Sequence, residues 1–334
     1  MDSLSLSRRH AFKLAGLTGA VIALRDHISL ADAPATQSAA LPQGAGFYRT
    51  HVGKLEVTVI SDGSFPIAPA FPTFGANASQ EAVEATLKEN FLDPAALMGQ
   101  VNVLAVREGS GPVTLIDTGC GKLFGPLTGF ARQNLAAAGI APEDVKHVIF
   151  THLHPDHAGG AVVDGKAAFP NATHHCHQTE RDFWTGPNPD FSKSGAGEMA
   201  KDMIAGATSA LTAVGPTLHT FHDNRHEVVP GITAVVSGGH TPGHCILEIA
   251  SDGQMLVYVG DLIIQSVLVM RHPEWFVAFD TDRERAVNVR RIFFKKLAER
   301  QAMICGSHLP FPSIGHVKKA GEAYEFIPTP WRWS

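Results

Sequence analysis

Three imidazoles and a carboxylate crowd into six residues at His152-Leu153-His154-Pro155-Asp156-His157. Nitrogen and oxygen donors at that spacing suit Zn²⁺, or its neighbours Mn²⁺, Fe²⁺ and Co²⁺. The short apolar run Val148-Ile149-Phe150 just upstream reads as a buried strand. The donors then sit on the loop at a strand's carboxyl end, where an α/β layer can bring side chains together. Further donors follow in Gly238-Gly239-His240-Thr241-Pro242-Gly243-His244, Val259-Gly260-Asp261 and Gly306-Ser307-His308. His174-His175-Cys176-His177 is a second dense group. Alternation along a strand splits its members between two faces, so it is read as a partly exposed strand and His174, His175 and His177 receive no role. His244 is read as a structural member of its loop.

Strands and helices must hold these groups in place. Leu55–Ile60 alternates with period two, and Val101–Val106 and Val113–Ile116 flank a turn at Gly109-Ser110-Gly111-Pro112. Ser79 is a candidate N-cap for a helix carrying Val83, Leu87 and Phe91 on one stripe and stopping before Pro94. A second helix is predicted over Leu127–Ala138, ending at Gly139. Later, Ile232–Val236, then Cys245–Ile249 and Met255–Val259 across Asp252-Gly253, repeat the strand pattern. Thr281 and Glu284 form a capping-box pair before a helix with Val289, Phe293 and Leu297 aligned, and Ala302–Cys305 is a last short strand. Strands in two groups, each followed by helix, predict an α/β fold of two sheets packed face to face with helices outside. Residues 34–334 are read as one domain, with the less regular stretch 180–230 as a lid or wall.

Composition narrows the function. The 334 residues are 44% apolar and 18% charged, with net charge −5 and 18 histidines. That is too apolar for a disordered chain, and it leaves no basic footprint for nucleic acid or anionic lipid. Four scattered cysteines (Cys120, Cys176, Cys245, Cys305) make neither a disulfide scaffold nor a cysteine zinc module. At the N-terminus, Arg8-Arg9 precede an uncharged run from Leu14 to Leu24, and Ala31-Asp32-Ala33 offers a cleavage site within 31–35. Eleven residues are too few to span a bilayer, which takes about 20. Residues 1–33 resemble a twin-arginine export signal, which implies passage through the twin-arginine machinery and a periplasmic or secreted mature protein. No later stretch is predicted to insert in a membrane.

The histidine string, taken with His240, Asp261 and His308 in order, resembles the signature of the metallo-β-lactamase fold superfamily over roughly 47–330. The resemblance implies an αββα sandwich and two divalent metal ions per chain, with zinc first among candidates. One ion would take His152, His154 and His240, the other Asp156, His157 and His308, and Asp261 would bridge them. Asp117, in Leu115-Ile116-Asp117-Thr118-Gly119, resembles the aspartate that orients a metal-bound imidazole from behind. Two such ions give a bridging hydroxide at neutral pH. Asp156 and Asp261 then hold that nucleophile and relay its proton.

Departures from neighbouring activities narrow the reaction. Asp261 stands where two-zinc β-lactamases commonly carry cysteine, and His154 where oxygen-reducing diiron relatives carry glutamate. RNA-processing relatives must hold a polyanion, which an exported acidic chain does poorly. Small neutral esters, lactones, thioesters and phosphotriesters remain. Within the superfamily the chain resembles methyl parathion hydrolase and related organophosphate/lactone hydrolases, in Phe47-Tyr48-Arg49, Ser61-Asp62-Gly63, Leu123-Phe124-Gly125-Pro126 and Asp182-Phe183-Trp184 among other stretches. There an aromatic pocket grips the leaving group, and Phe124 and Trp184 match two of its members. Residues 192–215 hold no Phe, Tyr or Trp to supply a third, only Met199 and Met203, so either the pocket is more open or another aromatic such as Phe279 serves, with Ile264 a lesser wall candidate. Quorum-signal lactonases of the superfamily use a tyrosine from between the two histidine motifs, and none lies between 157 and 240 here. That counts against an orthodox enzyme of that type, though not against lactones. The resemblance also implies a homodimer. Two alternatives stand beside this reading: a glyoxalase-II-like thioesterase, which would need a cationic clamp not evident here, and a metal-binding protein without turnover.

Overall fold

The computed structural model describes residues 44–67 and 69–332, and the export-type segment 1–33 lies outside the described residues. Two seven-stranded sheets dominate. The first runs β1-β2-β3-β4-β5-β8-β9: β1 Phe47–Val52, β2 Leu55–Pro66, β3 Met98–Glu108, β4 Val113–Ile116, β5 Val145–Ile149, β8 Thr173–His177 and β9 Leu218–Phe221. Its first four strands are antiparallel, and β4, β5, β8 and β9 are parallel. A small ribbon of β6 Val162–Val163 and β7 Lys166–Ala167 stands apart. The second sheet follows chain order: β10 Arg225–Val229, β11 Ile232–Val236, β12 Cys245–Ser251, β13 Gln254–Tyr258, β14 Met303–Cys305, β15 Ile314–Ala320 and β16 Ala323–Pro328.

Period-two alternation sorts the apolar side chains into three cores. Leu256 and Tyr258 of β13 pack between the sheets with Val57, Val59, Leu104 and Ile149. Val257, between them, points the other way, toward α1 (Gln80–Glu89) and α6 (Arg283–Glu299), where Val83, Leu87, Phe294 and Leu297 are buried. On the outer face of the first sheet, Leu115 and Val148 meet α2 (Ala131–Ala137), α4 (Gln178–Thr185) and α5 (Met199–Val214). The layers are therefore helix, sheet, sheet, helix: the αββα sandwich. Among the described residues no helix is long and apolar enough to cross a membrane.

Local signals mostly hold, with instructive exceptions. The Ser79 hydroxyl accepts the Ala82 N–H at 3.2 Å, as an N-cap should. Phe91, however, is not the third member of the α1 stripe. The helix closes in a Schellman pair, Leu92 N–H to Leu87 O and Phe91 N–H to Lys88 O. That puts Phe91 at φ 60° and leaves its ring 98% exposed. Asp252 and Gly253, both at positive φ, make the two-residue hairpin turn. The N-cap of α6 is Asp282, which accepts the Arg285 N–H at 3.0 Å, because the Thr281 hydroxyl is committed to the His240 carbonyl. Its buried line is Ala286, Val287, Arg290, Phe294 and Leu297, rotated from the expected stripe. The second helix begins at Ala131, four residues later than expected. The stretch 180–230 is irregular only in part: residues 186–198 hold neither helix nor strand, and the sixteen-residue α5 dominates the rest. β8 is an interior strand, so His174 and His177 are buried rather than at the surface.

Asp62 ties the loop after β4 to the start of α2. Its buried carboxylate accepts the Cys120 and Ala131 N–H groups, each at 2.8 Å. Asp62→Ala strands both donors, each worth about 1–3 kcal/mol when left buried and unpaired. We expect a loss of about 3 kcal/mol in urea unfolding followed by circular dichroism.

Candidate metal centre

Five imidazoles and two carboxylates meet where the two sheets face each other. β5 ends at Ile149, and the loop that follows delivers His152 and His154 before a single turn, α3 (Pro155–Ala158), presents Asp156 and His157. His240 comes from the loop between β11 and β12, Asp261 from a turn after β13, and His308 from the loop after β14. All but Asp156 are buried.

The contacts sort into two groups. His152 Nε2, His154 Nδ1 and His240 Nε2 lie 2.8–3.1 Å from one another, and Asp261 Oδ2 is 3.3 Å from His240 Nε2. In the second group His157 Nε2 and His308 Nε2 are 3.3 Å apart, with Asp156 Oδ2 at 3.6 and 3.4 Å from them. Asp261 Oδ1 reaches that group as well, 2.9 Å from His157 Nε2 and 3.2 Å from His308 Nε2. One carboxylate thus turns one oxygen to each group.

What lies behind the rings decides where their protons are. Asp117 Oδ2 accepts from His157 Nδ1 at 2.9 Å, and Asp280 Oδ1 accepts from His240 Nδ1 at 3.0 Å. The Gln100 carbonyl accepts from His308 Nδ1 at 2.6 Å. The Thr151 hydroxyl donates to Asp117 and accepts from His152 Nδ1 at 3.0 Å. Four far nitrogens therefore carry a ring proton and turn the four Nε2 atoms inward; in the first group those of His152 and His240 present lone pairs there. His152 Nε2 and His240 Nε2 then face each other lone pair to lone pair at 3.1 Å. Asp261 Oδ1 is buried with no hydrogen-bond partner. Convergent lone pairs of this kind suit a cation between them. The donor sets, three nitrogens with a carboxylate and two nitrogens with two carboxylates, suit a pair of zinc-like dications.

The titration properties agree. Burial, reinforced by neighbouring imidazoles, holds His152 well below its usual range and His154 at about 3, so both are neutral donors. Burial acts the same way on His157 and His308, but Asp261 and Asp156 outweigh it, raising His157 well above its ordinary value and His308 to about 10. Burial raises the carboxylates in turn, and the facing histidines reverse it: Asp156 falls to about 2 and Asp261 lies well below its usual range. Protons on His157 and His308 stand in for a cation.

Two buried acids escaped the sequence reading. Glu180, on α4, accepts four hydrogen bonds: Leu153 N–H and Trp184 Nε1–H on one oxygen, Thr241 Oγ and Gly243 N–H on the other, at 2.7–3.0 Å. It pins the two histidine loops together, and a Cβ on Gly243 would stand 2.4 Å from its backbone nitrogen. Asp280 both orients His240 and pairs with buried Arg290 at 2.8 Å. Neither sits in a recognisable motif, and the histidine-loop groups they hold, Leu153, Thr241 and Gly243 for Glu180 and His240 for Asp280, are distant in sequence. Asp117 takes its expected place behind His157, and His244 is structural, accepting the Asp261 N–H at 3.0 Å.

A cavity of about 160 Å³ opens onto the cluster. Its walls are Phe65, Ile67, Phe124, Met199, Met203, Ile264 and Phe279, with Asp156, Asp261, His154 and His308 at its base and Asp202 also lining it. Phe124, Ile264 and Phe279 are placed as expected. Trp184 is not: it is 2% exposed, held by Glu180, with its ring edge-to-face behind His154 at 5.5 Å. It packs the ligand and does not touch the cavity. Phe65, 4.8 Å from Phe124 between ring centres, is the second aromatic wall.

Comparison with known proteins agrees with this geometry. The family described as the metallo-beta-lactamase superfamily matches residues 97–308. The N-acyl homoserine lactonase AttM of Rhizobium radiobacter is 28% identical over 201 residues, 58% of this chain and 68% of that protein. The solved structure of AidC, a dizinc quorum-quenching lactonase in complex with a product, is 31% identical with a TM-score of 0.81, covering 86% of this chain and 98% of that one. The crystal structure of hydrolase AbOPH in the beta lactamase superfamily is 30% identical with a TM-score of 0.79, covering 87% and 100%.

Metal loading should displace the protons on His157 and His308. Because these groups are held protonated at neutrality and a metal needs their lone pairs, zinc affinity is expected to rise with pH from 6.5 to 8.5. The slope should be about tenfold or more per pH unit. Competition with a chromophoric chelator at three pH values reads the slope, and a flat profile would refute the proton assignment.

Proposed function

The chain belongs to the metallo-β-lactamase superfamily and is a metal-dependent hydrolase; from that premise we propose that it opens small neutral lactones and cleaves aryl esters carrying an apolar body. The observation that carries this reading is the cavity, whose walls are apolar while its base is the His/Asp cluster. A neutral substrate can shed water against Phe65, Phe124 and Ile264 and still present its carbonyl to the cluster. Relatives named as lactonases support the lactone arm.

In this proposal His152, His154, His240 and Asp261 hold one ion, and Asp156, His157, His308 and Asp261 hold the other. Zinc-like ions bound there supply Lewis acidity, polarising the substrate oxygen and making water a competent nucleophile at neutral pH. Asp156 and Asp261, both ionised at neutral pH, orient the attacking water through its hydrogens. As the water oxygen bonds to the carbonyl carbon and the C–O ester bond breaks, Asp156 passes the water's proton to the leaving oxygen. Asp117 and Asp280 keep His157 and His240 in the tautomer that points Nε2 inward. No tyrosine lines the cavity among the described residues, so leaving-group protonation rests on Asp156.

A second reading, phosphotriester hydrolysis, is favoured by the rings of Phe65, Phe124 and Phe279, which suit an aryl leaving group. The paired arginines at Arg8-Arg9 support twin-arginine export and a periplasmic site of action, checked by cell fractionation of the full-length chain.

The deciding experiment measures kcat/KM of the zinc-loaded protein on hexanoyl-homoserine lactone, dihydrocoumarin, p-nitrophenyl acetate and methyl paraoxon. Lactone or aryl-ester values well above the phosphotriester are expected; the reverse order would make the second reading the primary activity. Asp261→Asn should lower kcat/KM on every substrate by on the order of a thousandfold, about 4 kcal/mol, with far-ultraviolet circular dichroism unchanged. Phe124→Ala should raise KM for the aryl ester by about tenfold while leaving an aliphatic lactone within about threefold, the expected result of removing one ring from the wall.

A further inference from the structure

A second group of imidazoles lies away from the catalytic cluster. His147 is on β5, His175 on β8 and His219 on β9, three neighbouring parallel strands. His175 lies across the ladder from both Ile149 and His219, and His147 is two residues before Ile149. Ile149 and Phe221 belong to the core between the sheets. Cross-strand partners, and residues two apart on one strand, share a face, so all three histidines point to that side. They sit in the middle of β5 and β8 and near the start of β9, whereas the catalytic loops leave from strand ends.

The closest pair is His147 Nδ1 and His175 Nε2, 3.2 Å apart. Two nitrogens about 2.0 Å from one ion stand about 2.8 Å apart at the corners of a square and about 3.3 Å apart in a tetrahedron, so the pair is spaced to share an ion. The His219 ring lies 6.1 Å from that of His175, centre to centre, and is exposed, so it can turn toward the pair and an ion can enter past it. Burial lowers His147, and burial with the neighbouring imidazoles lowers His175 to about 4, so both rings are neutral at physiological pH. Among the described residues no carboxylate is hydrogen-bonded or ion-paired to any of the three, so the donor set is all imidazole. That set favours a late first-row ion, with Cu²⁺ the tightest by the Irving–Williams order.

We propose that His147 and His175, joined by His219, form a further transition-metal site, distinct from the catalytic pair, that takes Cu²⁺ and clasps edge strand β9 to the sheet. The test uses tag-free, zinc-loaded protein given one equivalent of copper(II) chloride and then desalted. One copper per chain should remain, with nitrogen superhyperfine structure in its electron paramagnetic resonance spectrum. Zinc content and hydrolysis rate should be unchanged. His175→Gln and His147→Gln, each still fully active, should each lose that copper on desalting; His219→Gln should retain it more weakly. Copper that expels zinc, copper lost on desalting from the parent protein, or copper held equally by His175→Gln and His147→Gln would each overturn the proposal.

Discussion

Two imidazole nitrogens with their lone pairs facing each other at 3.1 Å inside a protein core repel, and the one nitrogen close to both, His154 Nδ1 at 2.8–3.1 Å, can offer a proton to only one of them fully. Around His152 and His240 the protein removes the easy escape. The proton that could turn either ring into a donor is already committed on the far side, to Thr151 and to Asp280. Much of the architecture serves that refusal. The loops, the buried acids behind them and the meeting of the two sheets hold donors in an arrangement that ordinary hydrogen bonding does not satisfy.

Buried anions do the holding. Asp117, Glu180 and Asp280 are all fully enclosed, and burying a carboxylate is costly unless it is richly hydrogen-bonded. Each is. Glu180 gathers four donors from both histidine loops, Asp117 takes Thr151 and His157, and Asp280 takes His240 and Arg290. The charge of the acids is therefore answered by groups that also need fixing, so one set of contacts satisfies the core and aims the rings. Trp184 belongs to this scaffold. Its indole is a Glu180 donor and a backstop for His154, which is why an aromatic beside the histidine motif proved to be packing and not pocket.

The sequence was most legible where chemistry was local. His152 to His157 share one loop, so their convergence follows from spacing. The Asp252-Gly253 turn and the strand alternation also follow from neighbouring residues. His240, Asp261 and His308 were recognisable through resemblance, since their meeting depends on sheet packing across many residues. Glu180 and Asp280 were invisible because an isolated acid on or before a helix looks like any solvated one. The Phe91 error came from reading a stripe through a helix end. Nothing at Asn90 or Phe91 announces a left-handed stop, and the decisive bond runs from Leu92 back to Leu87.

Part of the cavity wall is built from segments that carry no donor, although Ile264 follows Asp261 by three residues and Phe279 precedes Asp280. The donors ride on loops locked by buried acids, whereas Met199, Asp202 and Met203 lie on one helix and Phe124 on a separate loop, and none of these four belongs to the donor cluster. Reactivity and selectivity are thus separately heritable. Mutation can redraw the wall one residue at a time while the hydrolytic core stays intact, and two methionines, the most pliable of apolar side chains, already occupy the helix that faces the substrate. A lineage with this division of labour can change what it consumes without relearning how to consume it.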